Sequence, residues 1–263
     1  MKKVSFIILT WNSESYIHAC IQSIVQDAKG AGIEFEIFIV DNGSQDGTVG
    51  TINALEAKYP GRLVPIFLDR NMGTTHPRNL ALEKAGGDYI CVMDSDIEMR
   101  SGILRALLDR LEEDPKVGMV VPQLVYPSGK VQMSTDQFPT LTRKLRRYFT
   151  LRKMEEEIQN HVQRTHWVDY AISAFWLMPK RIVKEVGFLD EAFFYAPEDV
   201  DYCIRVWKAG YKIVHVPGGC AVHHTQEISR GFRINKAVFH HFWGLCRLFY
   251  KHGYIFRPPE LRQ

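Results

Sequence analysis

Two carboxylates one residue apart, Asp94 and Asp96, close the short apolar run Tyr89-Ile90-Cys91-Val92-Met93. Acids at i and i+2 of an extended chain face the same side. At the end of a buried strand, such a pair makes a hard, oxygen-rich, partly open site that suits Mg²⁺ or Mn²⁺ shared with a diphosphate. The bland alternative is a solvated Asp-Ser-Asp turn, and the triplet alone does not decide between the two. A second acidic group, Glu198-Asp199-Val200-Asp201, runs into the helical pattern Val200, Cys203, Ile204, Trp207. Glu198 and Asp199 therefore fall in a first helical turn, where the dipole favours negative charge and where acids are common without any chemistry. His223 and His224 follow a late strand pattern. Neighbours on a strand point in different directions, so at most one of them faces a shared site.

These groups need elements to carry them. Val4 to Thr10 predicts a buried strand, and Ile17, Cys20, Ile21, Ile24 and Val25 mark one face of the helix after it, with Asn12 or Ser13 as N-cap. Phe35 to Val40 is a second strand, ending in the turn cluster Asp41 to Thr48 before a helix through about Lys58. Leu63 to Leu68 is a third strand, Asn71-Met72-Gly73 a turn, and about Thr75 to Lys84 a helix leading into the strand of Asp94. This alternation predicts an α/β chain with a mostly parallel, doubly wound half, whose ligands bind at the carboxyl ends of the strands. Beyond it the pattern predicts a helix at Leu104 to Leu111, a strand at Val117 to Tyr126, and a long strand or strand pair from Trp167 to Met178. The aromatic loop Phe188 to Pro197 precedes the second acidic group. A strand from Tyr211 to Val216, a turn at Pro217-Gly218-Gly219 and a final helix, about Asn235 to His252, complete the chain. That last helix is apolar nearly all round and reads as packed on the sheet, or alternatively as a membrane-interface or dimer contact.

The 263 residues make one large domain or two intimate ones, long enough for a substantial core. The net charge of +3 is too small to argue for nucleic acid. Its distribution is uneven, however: Arg143, Lys144, Arg146, Arg147, Arg152 and Lys153 crowd into an acid-free stretch, followed by Glu155-Glu156-Glu157. This reads as a surface loop and solvated helix, or as a basic lid over phosphates or lipid headgroups. The five cysteines form no CxxC and fall largely at apolar positions, which fits reduced thiols in a cytoplasmic protein rather than a zinc site. No run reaches the length of a membrane span, and the opening Met1-Lys2-Lys3 lacks the cleavage pattern of a signal peptide.

Taken in order, several stretches resemble the family 2 glycosyltransferases, inverting enzymes of GT-A fold, and most of all their bacterial rhamnosyltransferase-like branch. They are Val4 to Asn12, Val40 to Thr48, Asn71-Met72-Gly73 with Arg78-Asn79, Asp94-Ser95-Asp96, Gly187 to Phe194, Glu198 to Tyr202, and His223-His224. The resemblance implies a nucleotide-sugar-binding half at 1–100, an acceptor-binding and catalytic half at 101–226 and a C-terminal helical extension at 227–263. It implies that Thr10, Asn12, Asp41, Asn71, Gly73, Arg78, Asp94 and Ser95 serve the nucleotide sugar. Thr10 and Asp41 would hold base and ribose, and Arg78 would lie near base and diphosphate. Asp96, with Asp94 and His223 or His224, would hold the metal. Asp199 matches the general base, and Glu198 the neighbour that shapes the acceptor site. Two departures stand out: Thr74-Thr75-His76-Pro77 before Arg78, where small apolar residues are usual, and Thr225-Gln226 after the histidines, where glycines are common.

The chemistry agrees with this assignment. A departing nucleoside diphosphate gathers negative charge that a divalent cation at Asp96 neutralises. An acceptor hydroxyl is a poor nucleophile, and a carboxylate in reach can take its proton. Asp199 fits that role, with Glu198 and Asp201 expected to crowd it and raise its pKa. A single base without an enzyme nucleophile implies one displacement and inversion. The expected partners are a nucleotide-diphosphate sugar, with dTDP-rhamnose first, and a saccharide or lipid-linked acceptor stacking on Phe193-Phe194-Tyr195. Peripheral contact with the inner face of the membrane and a homodimer are both compatible with the last helix. A nucleotidyltransferase would place a Gly-rich phosphate loop where Thr10-Trp11-Asn12 stands, and a dehydrogenase would need GxGxxG there. A non-catalytic sugar-nucleotide-binding or scaffold protein on the same fold remains the competing class.

Overall fold

The computed structural model describes residues 2–144, 164–225 and 236–261, the last segment with its side chains from 242 onward. The basic residues Arg146 to Lys153, the acids at 155–157, Gln226 and the side chains of His240 and His241 lie outside that description.

The amino-terminal alternation is as the pattern predicts. It comprises β1 (Lys3–Thr10), α1 (Glu14–Gly30), β2 (Glu34–Asp41), α2 (Thr48–Lys58), β3 (Leu63–Phe67), α3 (Thr75–Lys84) and β4 (Tyr89–Asp94). Strands β3, β2, β1 and β4 lie side by side and parallel. Thr10 is in register with Asp41, and Leu9 with Asp94, so the strand ends carrying these groups share one edge of the sheet.

The second half extends the same sheet. It holds β5 (Ile97–Met99), α4 (Ile103–Glu113), β6 (Val117–Val125), β7 (Thr135–Asp136), β8 (His166–Trp167), β9 (Tyr170–Ala171) and β10 (Phe175–Pro179). There follow α5 (Lys180–Val186), α6 (Glu198–Lys208), β11 (Lys212–His223) and α7 (Lys236–His252). Beyond β4 the order is β10, β6, β11, β5, with β10 antiparallel to β4 and β6, and β11 parallel to β6. Among the described residues the sheet has nine strands, β8 pairing off the main path with β11.

Three expectations need correction. The run from Trp167 to Met178 is three short pieces rather than one long strand, and Trp167 is exposed because β8 is an edge. Pro217-Gly218-Gly219 is not a turn: β11 continues through it with a register shift between Val216 and Cys220. Gly219 presses on α4, where a Cβ would stand 2.8 Å from Ile103 Cγ1. At the start of α1, Ser13 is at the cap position but its hydroxyl does not cap; the amide of Glu14 donates instead to Asp46 Oδ2 at 3.2 Å.

Both faces of the sheet are covered, which is why its strands read as continuous apolar runs. Val4, Phe6 and Ile8 of β1 pack with Ile17, Ile21 and Ile24 of α1 and with Leu104 and Leu107 of α4. Ile7, Val40 and Val92 pack on the other face with Trp176, Tyr202 and Ile204. Leu245, Leu248 and Phe249 of α7 join this second cluster. Lys251 and His252 tie the helix to Asp201 of α6, and a Cβ at Gly244 would stand 2.7 Å from Pro197 Cδ. The last helix thus clasps α6 and the loop before it. No described helix is long and apolar enough to cross a membrane.

Candidate active site

The carboxyl ends of β1, β4 and β11 and the start of α6 surround a cleft of about 460 Å³. Its walls include Arg78, Asp94, Ser95, Asp96, Glu198, Asp199 and His223. Thr10, Asn12, Asp41, Asn71, Gly73 and His224 do not line it. The groups that could do metal and proton chemistry are therefore brought together, while most of those expected at the nucleotide stand behind the wall.

Asp94, Asp96 and His223 offer one ligand atom each within 4.8 Å of one another. Antiparallel pairing of β11 with β5 sets His223 opposite Ile97 and so beside Asp96. His223 Nε2 lies 3.3 Å from Asp96 Oδ1, and its Nδ1 lies 2.8 Å from Gln132 Oε1. With Nδ1–H donated to Gln132, the imidazole presents Nε2 to the acids, the arrangement a ligating histidine uses. Burial opposes the charged form of His223, but the hydrogen bond and charge of Asp96 outweigh it and raise its pKa. His224 turns the other way: its amide donates to Asp96 O at 2.9 Å, while its ring faces Glu98 (3.5 Å) and Tyr16. Two carboxylates and a neutral imidazole are a fitting donor set for Mg²⁺ or Mn²⁺.

Arg78 joins the two halves of the site. Its buried guanidinium donates through Nη2 to Asp94 Oδ1 at 2.6 Å and through Nη1 to Ser173 Oγ at 3.0 Å. Glu198 Oε1 lies 3.5 Å from Nη1, and Ser173 Oγ donates to the same oxygen at 3.2 Å. Burial raises the pKa of Asp94; Arg78 pulls it down, and Asp96 pushes it up again. The net direction is upward, and a divalent cation bound beside Asp94 would lower the pKa.

The remaining nucleotide-side candidates knit loops. Asp41 accepts from Ser44 Oγ at 2.5 Å and from the Ser44 amide at 3.0 Å. Asn12 Oδ1 accepts from the Gln45 amide at 2.8 Å, and the Asn12 amide donates to Ser44 Oγ at 2.8 Å. Asn71 Oδ1 accepts from the Gly73 amide at 2.9 Å and from Asn42 Nδ2 at 3.2 Å. Ser95 donates to Ser13 Oγ at 2.8 Å, tying the acidic loop to the first one. The Thr10 hydroxyl is buried without a hydrogen-bond partner among the described residues.

Glu198 and Asp199 begin α6 and line the same cleft. Burial first, and then the charge of Glu198, push the Asp199 carboxyl up to about 7. Asp201 does not contribute to that crowding, contrary to the sequence expectation. It faces away and is held by Arg205 Nε at 2.9 Å, Lys251 Nζ at 2.7 Å and His252 Nε2 at 2.8 Å. Burial would raise the Asp201 carboxyl, but these partners hold it down to about 2. The proposed stacking face also shrinks: Phe193 is buried in the core, the Phe194 carbonyl packs on Gly73, and Tyr195 alone of the three lines the cleft. Sequence reasoning missed Gln132 and Ser173, which no local pattern marks, and passed over Asn42 and Ser44 within a run it did single out.

Comparison with known proteins adds to this geometry. The model of the family described as Glycosyl transferase family 2 matches residues 5–187. N-acetylglucosaminyl-diphospho-decaprenol L-rhamnosyltransferase of Mycobacterium tuberculosis is 28% identical over 243 residues, covering 85% of this chain and 77% of that protein. Teichoic acid poly(glycerol phosphate) polymerase of Staphylococcus epidermidis is 30% identical over 122 residues, 46% of this chain and 16% of its own. Among solved structures, the mannosyltransferase PcManGT of Pyrobaculum calidifontis in complex with GDP-Man and Mn²⁺ superposes with a TM-score of 0.67 at 18% identity, over 98% of this chain and 66% of that one. GalNAc-T7 with UDP, GalNAc and Mn²⁺ gives a TM-score of 0.70 at 14% identity, over 95% of this chain and 48% of that one. The chain thus spans about half of the GalNAc-T7 chain and about two thirds of PcManGT.

Proposed function

The chain belongs to glycosyl transferase family 2 and is a glycosyltransferase of GT-A fold, and from that premise we propose that it moves a sugar, with inversion, from a nucleotide-diphosphate donor to a hydroxyl of a saccharide or lipid-linked acceptor. The observation that carries this reading is one cleft that holds both a metal-fitting cluster and a carboxyl poised near neutrality. Asp96, Asp94 and His223 would hold Mg²⁺ or Mn²⁺, which when bound neutralises charge on the departing diphosphate.

The chain's own residues do the rest. Asp199, with its raised pKa, takes the proton of the acceptor hydroxyl as it attacks. A base near pH 7 combines a populated carboxylate with useful proton affinity. Glu198 keeps that pKa high and is itself held by Ser173 and Arg78. Arg78 fixes Asp94 and Glu198 relative to each other. Tyr195 offers a ring to the acceptor sugar at the cleft.

The Mycobacterium tuberculosis relative, named for L-rhamnosyl transfer to a diphospho-decaprenol-linked sugar, supports a rhamnosyl donor and a lipid-linked acceptor, with dTDP as the first nucleotide to test. A thermal-shift panel of dTDP-, UDP- and GDP-sugars with and without Mn²⁺ tests the donor. At 100 times its Kd a ligand adds about 2.7 kcal/mol, or roughly 5–11 °C for a chain of this size. A metal-dependent shift with one nucleotide class supports the reading, and no shift with any of them opposes it.

A further inference from the structure

The inner arc of α7 is fully used: Gly244 presses on Ala196-Pro197, Leu248 is buried, and Lys251 and His252 bind Asp201. The outer arc is not used. At 100° per residue, Phe242, Trp243 and Tyr250 fall on one side of the helix. They are 63%, 67% and 91% exposed. The turn that follows adds Ile255 and Phe256, also exposed. That turn is pinned beside exposed Leu141, whose amide donates to Ile255 O at 2.9 Å. A helix with one apolar face in the core and a second, aromatic one in solvent has an unmet partner.

Charge says which partner. Residues 228–259 contain six Lys and Arg and no Asp or Glu. Arg247 and Lys251 are already answered by Asp190 and Asp201, so two copies meeting through this face in a self-complementary pair would set the remaining four cations against four with no acid from either segment between them. An anionic bilayer meets the same segment with opposite charge. The side chains suit that surface as well: Trp and Tyr favour the headgroup level, and Phe and Ile the acyl boundary just below it.

We propose that α7 and the turn after it form a docking face for an anionic lipid bilayer, on which the protein lies without crossing. The opposite side of the same helix touches Ala196-Pro197, immediately before Glu198 and Asp199. Seated this way, the cleft stands close to the headgroups. The inference goes beyond the transfer reading and does not depend on it.

Flotation of the full chain with vesicles tests the inference. One set contains phosphatidylcholine alone, the other phosphatidylcholine mixed with phosphatidylglycerol. The protein floats with the anionic vesicles, and less so as salt is raised. The double substitution Trp243→Ser, Tyr250→Ser weakens that partition about tenfold or more while leaving the melting temperature and the donor-induced shift unchanged. Failure to float with either vesicle, or equal flotation of the double variant, overturns the proposal. A dimer in sedimentation that the same two substitutions dissociate overturns it too, in favour of a second copy. The donor-induced shift on the same sample reports separately on the transfer reading.

Discussion

Asp199 and Asp201 stand two residues apart on one helix, yet the first carboxyl is pushed up to about 7 and the second held down to about 2. Two helical steps rotate a side chain by about 200°. Asp199 therefore shares the cleft with Glu198, while Asp201 faces Arg205, Lys251 and His252. One side of α6 faces the cleft and the other carries its anchor.

The anchor makes a stability prediction. The folded pKa of Asp201 lies below its ordinary value of 3.8. Its contribution is thus complete above that value and is lost as pH falls through about 2. Asp201→Asn leaves a cationic cluster uncompensated and costs roughly 3–5 kcal/mol at neutral pH. Amide exchange across 242–252 should quicken as α7 loosens. Unchanged exchange there would mean that Leu245, Leu248 and Phe249 hold the helix unaided.

Arg78 is the second structural test. Arg78→Met strands Asp94 and Glu198 in a poorly solvated cleft and destabilises the fold by roughly 3–5 kcal/mol. Arg78→Lys recovers little of this, because one ammonium cannot span Asp94, Ser173 and Glu198 as the guanidinium fork does. Urea midpoints of the two variants measure this. A Lys variant as stable as the parent would show that charge alone suffices.

Gly73 tests the packing of the loop that carries Tyr195. Its φ is +84°, and a Cβ there would stand 2.2 Å from Phe194 O. Gly73→Ala must push the 193–195 segment away, at a cost above about 1 kcal/mol. Tyr195 moves with that segment, so acceptor KM should rise more than donor KM. Equal changes in both would detach Tyr195 from the acceptor.

The metal cluster separates two adjacent histidines. Asp96→Asn and His223→Ala should remove the Mn²⁺-dependent part of donor binding measured by calorimetry, whereas His224→Ala should leave it. Gln132→Ala, which removes the partner of His223 Nδ1, should weaken metal binding about 10–100-fold. Equal effects at both histidines would refute the placement.

How much of this was legible beforehand follows from the range of the interactions. The parallel half was readable because its strands are buried on both faces and its helices are stripes, both local patterns. The acids at the end of β4 were readable from the apolar run before them, but only Asp94 is on the strand: Asp96 stands in the turn between β4 and β5, so the i, i+2 rule of an extended chain does not place it. The choice between His223 and His224 was not, since it depends on β11 pairing with β5 across the sheet. The roles of Gln132 and Ser173 depend on contacts 91 and 95 residues distant, with His223 and Arg78. Asp201 looked like a third acid of the site because sequence proximity hides the rotation of a helix. Pro217-Gly218-Gly219 read as a turn because nothing local reveals that β6 continues beside it.

The central claim is that Asp199 is the base for the acceptor hydroxyl, and the pH dependence of kcat/KM for parent and Asp199→Asn, with donor affinity measured alongside, tests it most directly. Because its folded pKa is raised, the carboxylate is present only above about 7, so parent activity should rise on an acid limb through that region. Asp199→Asn should lose about 10²–10⁴-fold in turnover, keep its donor affinity, and lose the limb. It should also melt higher than the parent above pH 7, where the parent pays for burying a charge. Full transfer by Asp199→Asn with the acid limb intact would contradict the account.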